Sequence, residues 1–339
     1  MNARLERKLR MLIAIVIAGG VAGMAFSAAH GQSVVPGLVT GILISVLLGG
    51  LEVLVADGPI RSWVSARSFT VGLLLKSAIY AVVIFGLQWF PVADWLIGIR
   101  STGADRTFWS SIVYSIAVSI VVNLALAISN LIGGRALVNF FTGRYHAPVE
   151  ESRFVLFVDI AGSTGLAEKL GGTGIHRLLD RTFRLMTLSV VDYRGEVLNY
   201  VGDEVIVTWP ATAGAMDCRP LRCFMAMRHE LARNAAYFER EFGAAPRIRG
   251  SLHFGPVIIG EIGDVKRAIV FNGDVMNTAA RLEELSRGIA GGFVASKAAM
   301  DRFTAALPFA VCDLGKLPIR GRVDGIDAVG LHMAASAQG

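Results

Sequence analysis

Cysteine is scarce in this chain: three residues in 339, Cys218, Cys223 and Cys312, all in the second half and without CxxC spacing. An odd, scattered set argues against a disulfide framework and against a cysteine-based zinc site, and it fits reduced thiols in a cytosolic domain. The six histidines lack HxxxH or Cys/His ligand spacing, so the common zinc patterns are absent too. Charge is also in short supply, with Asp, Glu, Lys and Arg at 18% of the chain. The net charge of +6 carries no Lys/Arg block or aromatic-interleaved basic stripe beyond the Arg-rich N-terminus, which excludes nucleic acid as an expected partner.

What is plentiful is apolar. The hydrophobic fraction is 53% and the mean hydropathy +0.55, more than a soluble chain usually carries. The excess sits in the first 135 residues as long runs, whereas the remainder mixes charged and apolar residues as globular domains do. Four stretches reach the roughly 20 residues a helix needs to cross a hydrocarbon core: about 11–29, 34–56, 69–99 and 108–132. The first has the polarity of a signal peptide, but it is long and three further spans follow. Arg4, Arg7, Lys8 and Arg10 precede the first span, and Arg61 and Arg67 separate the second from the third. Clustered basic residues stay on the cytoplasmic side, so an even number of crossings leaves both termini inside. The expectation is an all-α four-helix transmembrane region over residues 1–132 of a multi-pass bacterial inner (cell) membrane protein, with lipid as one partner.

Lys76 lies inside the third span, and its long stem is expected to snorkel to the cytoplasmic interface. Asn123 and Asn130 in the fourth can hydrogen-bond between helices or between protomers. Residues 133–151 turn amphipathic and break at Pro148, which reads as a helical linker into a soluble domain over 152–334.

In that domain Arg153–Ile160 is a continuous run of β-formers that places Asp159 at the end of a buried strand. Ala161-Gly162-Ser163-Thr164 supplies the turn, with Thr164 or Ser163 as the cap of a following helix. Such a strand–turn–helix junction offers backbone N–H groups to phosphate. Farther on, Glu196–Val201, Gly202-Asp203 and Glu204–Trp209 read as a hairpin with Asp203 at its tip. Either carboxylate alone is ordinary. Together, at adjacent strand ends, they make a hard-oxygen site suited to Mg²⁺ or Mn²⁺, and two ions there can activate a hydroxyl and hold a leaving pyrophosphate. Arg249–Ile262 and Lys266–Phe271 read as strands, and Asp274–Leu285 as an amphipathic helix on which Asn277 and Arg281, four apart, share a face. That face can meet phosphate oxygens and charge developing on them; the bland alternative is an Arg281 paired with Glu283 or Glu284. His253 lies near this region and is assigned to packing.

Four motifs occur in order: Phe157-Val-Asp-Ile-Ala-Gly-Ser-Thr164, Tyr200-Val-Gly-Asp-Glu204, Gly255–Gly263 and Gly273-Asp-Val-Met-Asn-Thr-Ala-Ala-Arg-Leu-Glu283. Over roughly 154–331 the chain resembles the class III adenylyl and guanylyl cyclases. The resemblance implies an α+β catalytic domain with a ferredoxin-like βαββαβ core, working as a head-to-tail homodimer on a nucleoside triphosphate, ATP foremost, with two Mg²⁺ or Mn²⁺ ions per active site. It implies metal contacts from Asp159, the Ile160 backbone and Asp203 of one protomer. Asn277 orients the ribose and Arg281 stabilises the phosphoryl group from the other. Gly162, Ser163 and Thr164 fall at the nucleotide, as does a basic residue of the late Lys316–Arg322 segment, Arg322 or Arg320. Asn199 and Val270 stand where adenylyl members carry Lys and Asp or Thr to read adenine, and the Glu and Cys of guanylyl members are absent too. A degenerate, non-catalytic cyclase domain, a diguanylate cyclase and a cyclase using a pyrimidine triphosphate are the competing readings.

Overall fold

The structure is a computed structural model that describes residues 3–57, 69–89, 106–132, 142–265, 267–307, 310–319 and 324–332. The chain divides into two compact units, Met1–Phe141 and Thr142–Gly339.

The first unit holds four long helices, α1 (Ala3–Ala29), α2 (Val34–Asp57), α3 (Phe69–Trp89) and α4 (Arg106–Ile132), all long and apolar enough to cross a membrane. The third ends at Trp89, and residues 90–99 of the expected span lie outside the described residues. Contacts link α1 to α2, α2 to α3, α3 to α4 and α4 back to α1, the neighbour pattern of an up-and-down bundle. Helices α1 and α2 approach most closely where glycines face each other: a Cβ on Gly23 would stand 2.0 Å from the Gly37 carbonyl oxygen. Large apolar side chains such as Val82 and Val113 point outward, as a lipid-facing surface requires and an aqueous one does not tolerate in quantity. Lys76 has a partner on the neighbouring helix. Its Nζ donates to both carboxylate oxygens of Glu52 at 2.6 and 2.9 Å, and the Tyr80 hydroxyl donates to Glu52 Oε1 at 2.6 Å. A carboxylate one helix away thus neutralises the ammonium within the helical unit.

The second unit is a mixed sheet with helices on both faces. Its strands are β1 (Val149–Ala161), β2 (Glu196–Val201), β3 (Glu204–Pro210), β4 (Arg247–Ile262), β5 (Ala268–Asn272), β6 (Phe293–Ser296), β7 (Ala310–Leu317) and β8 (Ile326–His332). The helices are α5 (Ser163–Asp192), α6 (Ala211–Ala215), α7 (Arg219–Arg233), α8 (Ala235–Phe242), α9 (Asp274–Ser286) and α10 (Lys297–Met300). The sheet order is β2-β3-β1-β4-β6-β8-β7, with β5 added to β4. Its first four strands pair antiparallel, with α5 between β1 and β2 and α6–α8 between β3 and β4, which is the ferredoxin-like βαββαβ arrangement. Residues 149–151, the end of the expected linker, already belong to β1.

Strand β1 is buried on both sides, and its alternation sorts the core. Phe154, Leu156, Val158 and Ile160 join Val205, Val207 and Trp209 and the α5 and α7 side chains Met186, Val190, Leu221 and Phe224. Val155 and Phe157 join Ile206, Val257 and Ile259 under Val275 and Ala279 of α9 on the opposite face. Gly195 lets the chain turn into β2 against the core, because a Cβ there would lie 2.7 Å from the Trp209 ring.

Candidate active site

Asp159 follows Val155 and Phe157 in the alternation of β1, so it belongs to the α9-facing side of the sheet. Antiparallel pairing sets Glu204 opposite it on one edge and Arg249 opposite it on the other. Arg249 donates a hydrogen bond to Asp159. Gly202, at φ 62°, permits the tight β2–β3 turn that carries Asp203 to the same end of the sheet. The Ile160 N–H donates to the Asp203 carbonyl at 3.3 Å, tying the hairpin tip to β1.

Helix α9 completes the enclosure. It packs across β4, β1 and β6, anchored where Ser251 Oγ donates to the Ala279 carbonyl at 2.6 Å. Its buried face carries Val275, Thr278, Ala279, Leu282, Glu283 and Ser286. Glu283, 4% exposed, enters the cluster with Oε1 buried and without a hydrogen bond, facing Arg249 Nε at 3.9 Å; Arg287 Nη2 lies 4.0 Å from its other oxygen. Four carboxylates thus gather around two guanidiniums.

Their proton affinities record the crowding. Burial, with repulsion from Glu283, Asp159 and Asp203, pushes Glu204 up to about 7. Burial and the charge of Asp159 push Glu283 up to about 7, against the pull of Arg287 and Arg249. Burial likewise raises Asp159, opposed by the Arg249 hydrogen bond and assisted by a hydrogen bond with Asp203. For Asp203 burial is outweighed by hydrogen bonds from Ser163 and Asp159, and its carboxyl is held below the ordinary range. The two aspartates thus influence each other's ionisation.

That donor set fits a divalent cation. All its groups are hard oxygens, their mutual repulsion is what a cation relieves, and Glu283 Oε1 is an orphaned buried acceptor. Among the described residues no three His, Cys, Asp or Glu side chains converge closely enough to hold an ion by themselves. Mg²⁺ commonly completes such a shell with water and substrate phosphate.

Asn277 and Arg281 point elsewhere. At about 100° per residue they stand about 40° apart, whereas Glu283 lies about 160° round the helix from Arg281. Asn277 is exposed and Arg281 half-buried, and Glu283 forms its ion pairs with Arg249 and Arg287, so the expected alternative of an Arg281–Glu283 pair does not occur. Neither Asn277 nor Arg281 has a hydrogen-bonding partner among the described residues.

The turn after β1 differs from expectation in one detail. Helix α5 begins at Ser163 with Gly162 as N-cap, at φ 74°, and no side chain caps it. Ser163 instead acts on Asp203, whose carboxyl it helps hold low. The first amides of α5 stay available to an anion, with Gly162 and Thr164 exposed. Asn199 is exposed on the edge strand β2, just after a bulge, with its Oδ1 accepting from the Tyr200 N–H at 2.9 Å; Val270, half-buried on β5, pairs with Gly260. The Arg320 and Arg322 candidates lie outside the described residues. His253 is buried with Nδ1 2.7 Å from Ser296 Oγ, a packing role.

Residues 146–332 match the family model described as the adenylate and guanylate cyclase catalytic domain. The chain belongs to this cyclase family. Among curated proteins it is similar to adenylate cyclase 2 of Rhizobium meliloti (strain 1021), 34% identical over 211 residues that cover 62% of this chain and 58% of that protein. Adenylate cyclase 1 of the same organism is 27% identical over 179 residues, covering 51% of this chain and 26% of that protein. The cyclase thus spans little more than half of one relative and about a quarter of the other. Among solved structures, the adenylyl cyclase CyaB from P. aeruginosa superposes with a TM-score of 0.50 at 22% identity, covering 57% of this chain and 100% of that one. A bacterial light-regulated adenylyl cyclase reaches 0.56 at 21% identity, covering 64% of this chain and 63% of that one. Both likenesses concern the fold.

Proposed function

We propose that this cyclase is a membrane-anchored homodimeric enzyme that converts ATP to 3′,5′-cyclic AMP and pyrophosphate. The observation that carries the reading is the division of one helix. Through Glu283, α9 faces its own cluster of Asp159, Asp203 and Glu204, while Asn277 and Arg281 are turned away from that cluster and unpartnered. A second protomer arranged head to tail would bring that free face to the first protomer's aspartates, giving two composite sites per dimer.

In this reading Asp159, Asp203 and the Ile160 carbonyl hold the metal-binding end of the site. Two Mg²⁺ or Mn²⁺ ions bound there would acidify the ribose 3′-hydroxyl and neutralise the leaving pyrophosphate. The protein's own tasks are binding and orientation. The amides of Ser163 and Thr164 at the start of α5, next to Gly162, receive phosphate oxygens. The partner's α9 supplies Asn277 to orient the ribose and Arg281 to the charge that grows on the α-phosphate as the 3′-oxygen attacks and the bond to pyrophosphate breaks. Arg322, or Arg320, is assigned to the triphosphate. The basic residues before α1 and between α2 and α3 put both termini and the catalytic unit on the cytoplasmic side of the inner membrane, where the triphosphate is.

ATP is favoured by the printed names of the curated relatives, both adenylate cyclases. At the base itself, Asn199 offers an amide N–H₂ and Val270 no polar group, so discrimination rests on few contacts. The test is purified full-length protein with each of the four nucleoside triphosphates and Mn²⁺, following pyrophosphate and cyclic product. Cyclic AMP as main product is expected. Preference for another triphosphate would reassign the substrate, and absence of pyrophosphate from all four would overturn the enzymatic reading.

A further inference from the structure

Between the helices of the first unit lies a partly open cavity of about 430 Å³, a volume typical of small-molecule sites, which run to roughly 300–1,000 Å³. Its walls combine apolar side chains such as Ile44, Leu48 and Leu126 with the polar groups of Ser45, Ser119 and Asn123. Several of the polar groups that line it are already engaged. Glu52 accepts from Lys76 and Tyr80, Ser119 Oγ donates to the Ile116 carbonyl at 2.9 Å, Gln88 Nε2 to Ser115 Oγ at 3.1 Å, and the Tyr114 hydroxyl to the Ala22 carbonyl at 3.1 Å.

Asn123 stands apart because its amide nitrogen is buried. It is 4% exposed and its amide stands beside the Tyr80 hydroxyl, which can take at most one of its two N–H groups, while Nδ2 has no partner at ordinary hydrogen-bonding geometry. In this unit it is the one buried side-chain nitrogen or oxygen so placed among the described residues. An amide carries two N–H donors, and leaving them unmet in an apolar interior is unfavourable unless something else accepts.

We infer that this cavity is a binding site for a neutral, mainly apolar small molecule whose carbonyl or ether oxygen accepts from Asn123. Neutrality follows from the charges at hand: Glu52 is balanced by Lys76, and an added ion inside the bundle would have no counter-charge. The apolar body follows from the walls, and the acceptor from the orphaned donor. The inference rests on the reading of this unit as membrane-embedded and is independent of the catalytic reading.

The test uses full-length protein in phospholipid nanodiscs and a photoreactive medium-chain aliphatic ketone, with labelled peptides mapped by mass spectrometry. Labelling should fall on the α4 segment around Ser119 and Asn123 and be suppressed by excess 2-undecanone, with undecane and undecanoate at least about fivefold less effective, the worth of one hydrogen bond. Asn123→Leu should lose specific labelling by a similar factor with unchanged thermal unfolding. If that variant fails to assemble, Ser119→Leu, which fills the cavity and keeps the amide, should show the same loss. Equal suppression by undecane would mean that an acyl chain suffices and would overturn the proposal. Wild-type labelling in a folded Asn123→Leu protein, or in Ser119→Leu, would overturn it too.

Discussion

In the four-helix unit Lys76, Glu52 and Tyr80 close on one another, so that one carboxylate is met by a cation and a hydroxyl. In the catalytic unit Asp159, Asp203, Glu204 and Glu283 crowd around Arg249 and Arg287, and two of the four are pushed to about 7. One set of charges is self-contained and the other is left in excess. The difference teaches where to look for chemistry: a neutralised cluster holds helices together, while an unneutralised one is kept at a cost in stability that a bound cation or substrate recovers.

The sharpest way to break this contrast is to remove one charge from each set. Asp203→Asn should lower the cyclase rate by at least about 10³-fold while costing only about 1 kcal/mol of stability, because a metal-binding group is lost but the amide oxygen can still accept a hydrogen bond. A large drop in melting temperature would mean that the cluster is structural. Arg281→Ala should cost about 10²–10³ in kcat with little change in stability, the usual worth of a group that meets transition-state charge; an unchanged kcat would remove Arg281 from the chemistry. Lys76→Met should behave in the opposite sense. It should destabilise the helical unit by about 1–2 kcal/mol, allowing for partial exposure of the pair, and the double change with Glu52→Leu should restore most of that. Unfolding of the intact protein in mixed micelles measures both, and a silent Lys76→Met would show that the pair contributes nothing.

Smallest is a pH effect confined to the catalytic unit. Glu204 and Glu283 have ordinary values of 4.5 and folded values of about 7, so proton binding favours the folded state. Their contribution is complete below 4.5 and is lost as the pH rises through about 7. Asp203, shifted down from 3.8, acts oppositely and only below that pH. Metal-free protein should therefore melt at lower temperature as the pH rises from 4.5 to 7, and saturating Mn²⁺ should flatten the slope. A flat metal-free profile would contradict the crowding.

The same contrast explains what could be read from the residues alone. The spans follow from the length of apolar runs, and Asp159, Asp203 and the Asn277/Arg281 face follow from local patterns, a strand end, a Gly-Asp turn and an i,i+4 spacing. Arg249 and Glu283 carry no such signal. Arg249 matters because antiparallel register sets it opposite Asp159, and Glu283 because α9 lies across β4 and β1. Lys76 looked solitary for the same reason, since Glu52 is 24 positions away and on another helix. Ser163 was legible as a cap by residue type, but it acts on the nearby Asp203 and Gly162 begins the helix without it. Local chemistry shows in sequence, whereas partners brought together by pairing and packing do not.

The composite site is the claim on which the functional account turns, and mixing tests it most directly. Asp159→Ala and Arg281→Ala proteins, each inactive alone, should recover about a quarter of wild-type activity when co-assembled in equal amounts, since half the dimers would then hold one intact site. A mixture no more active than either variant, with subunit exchange verified, would contradict it.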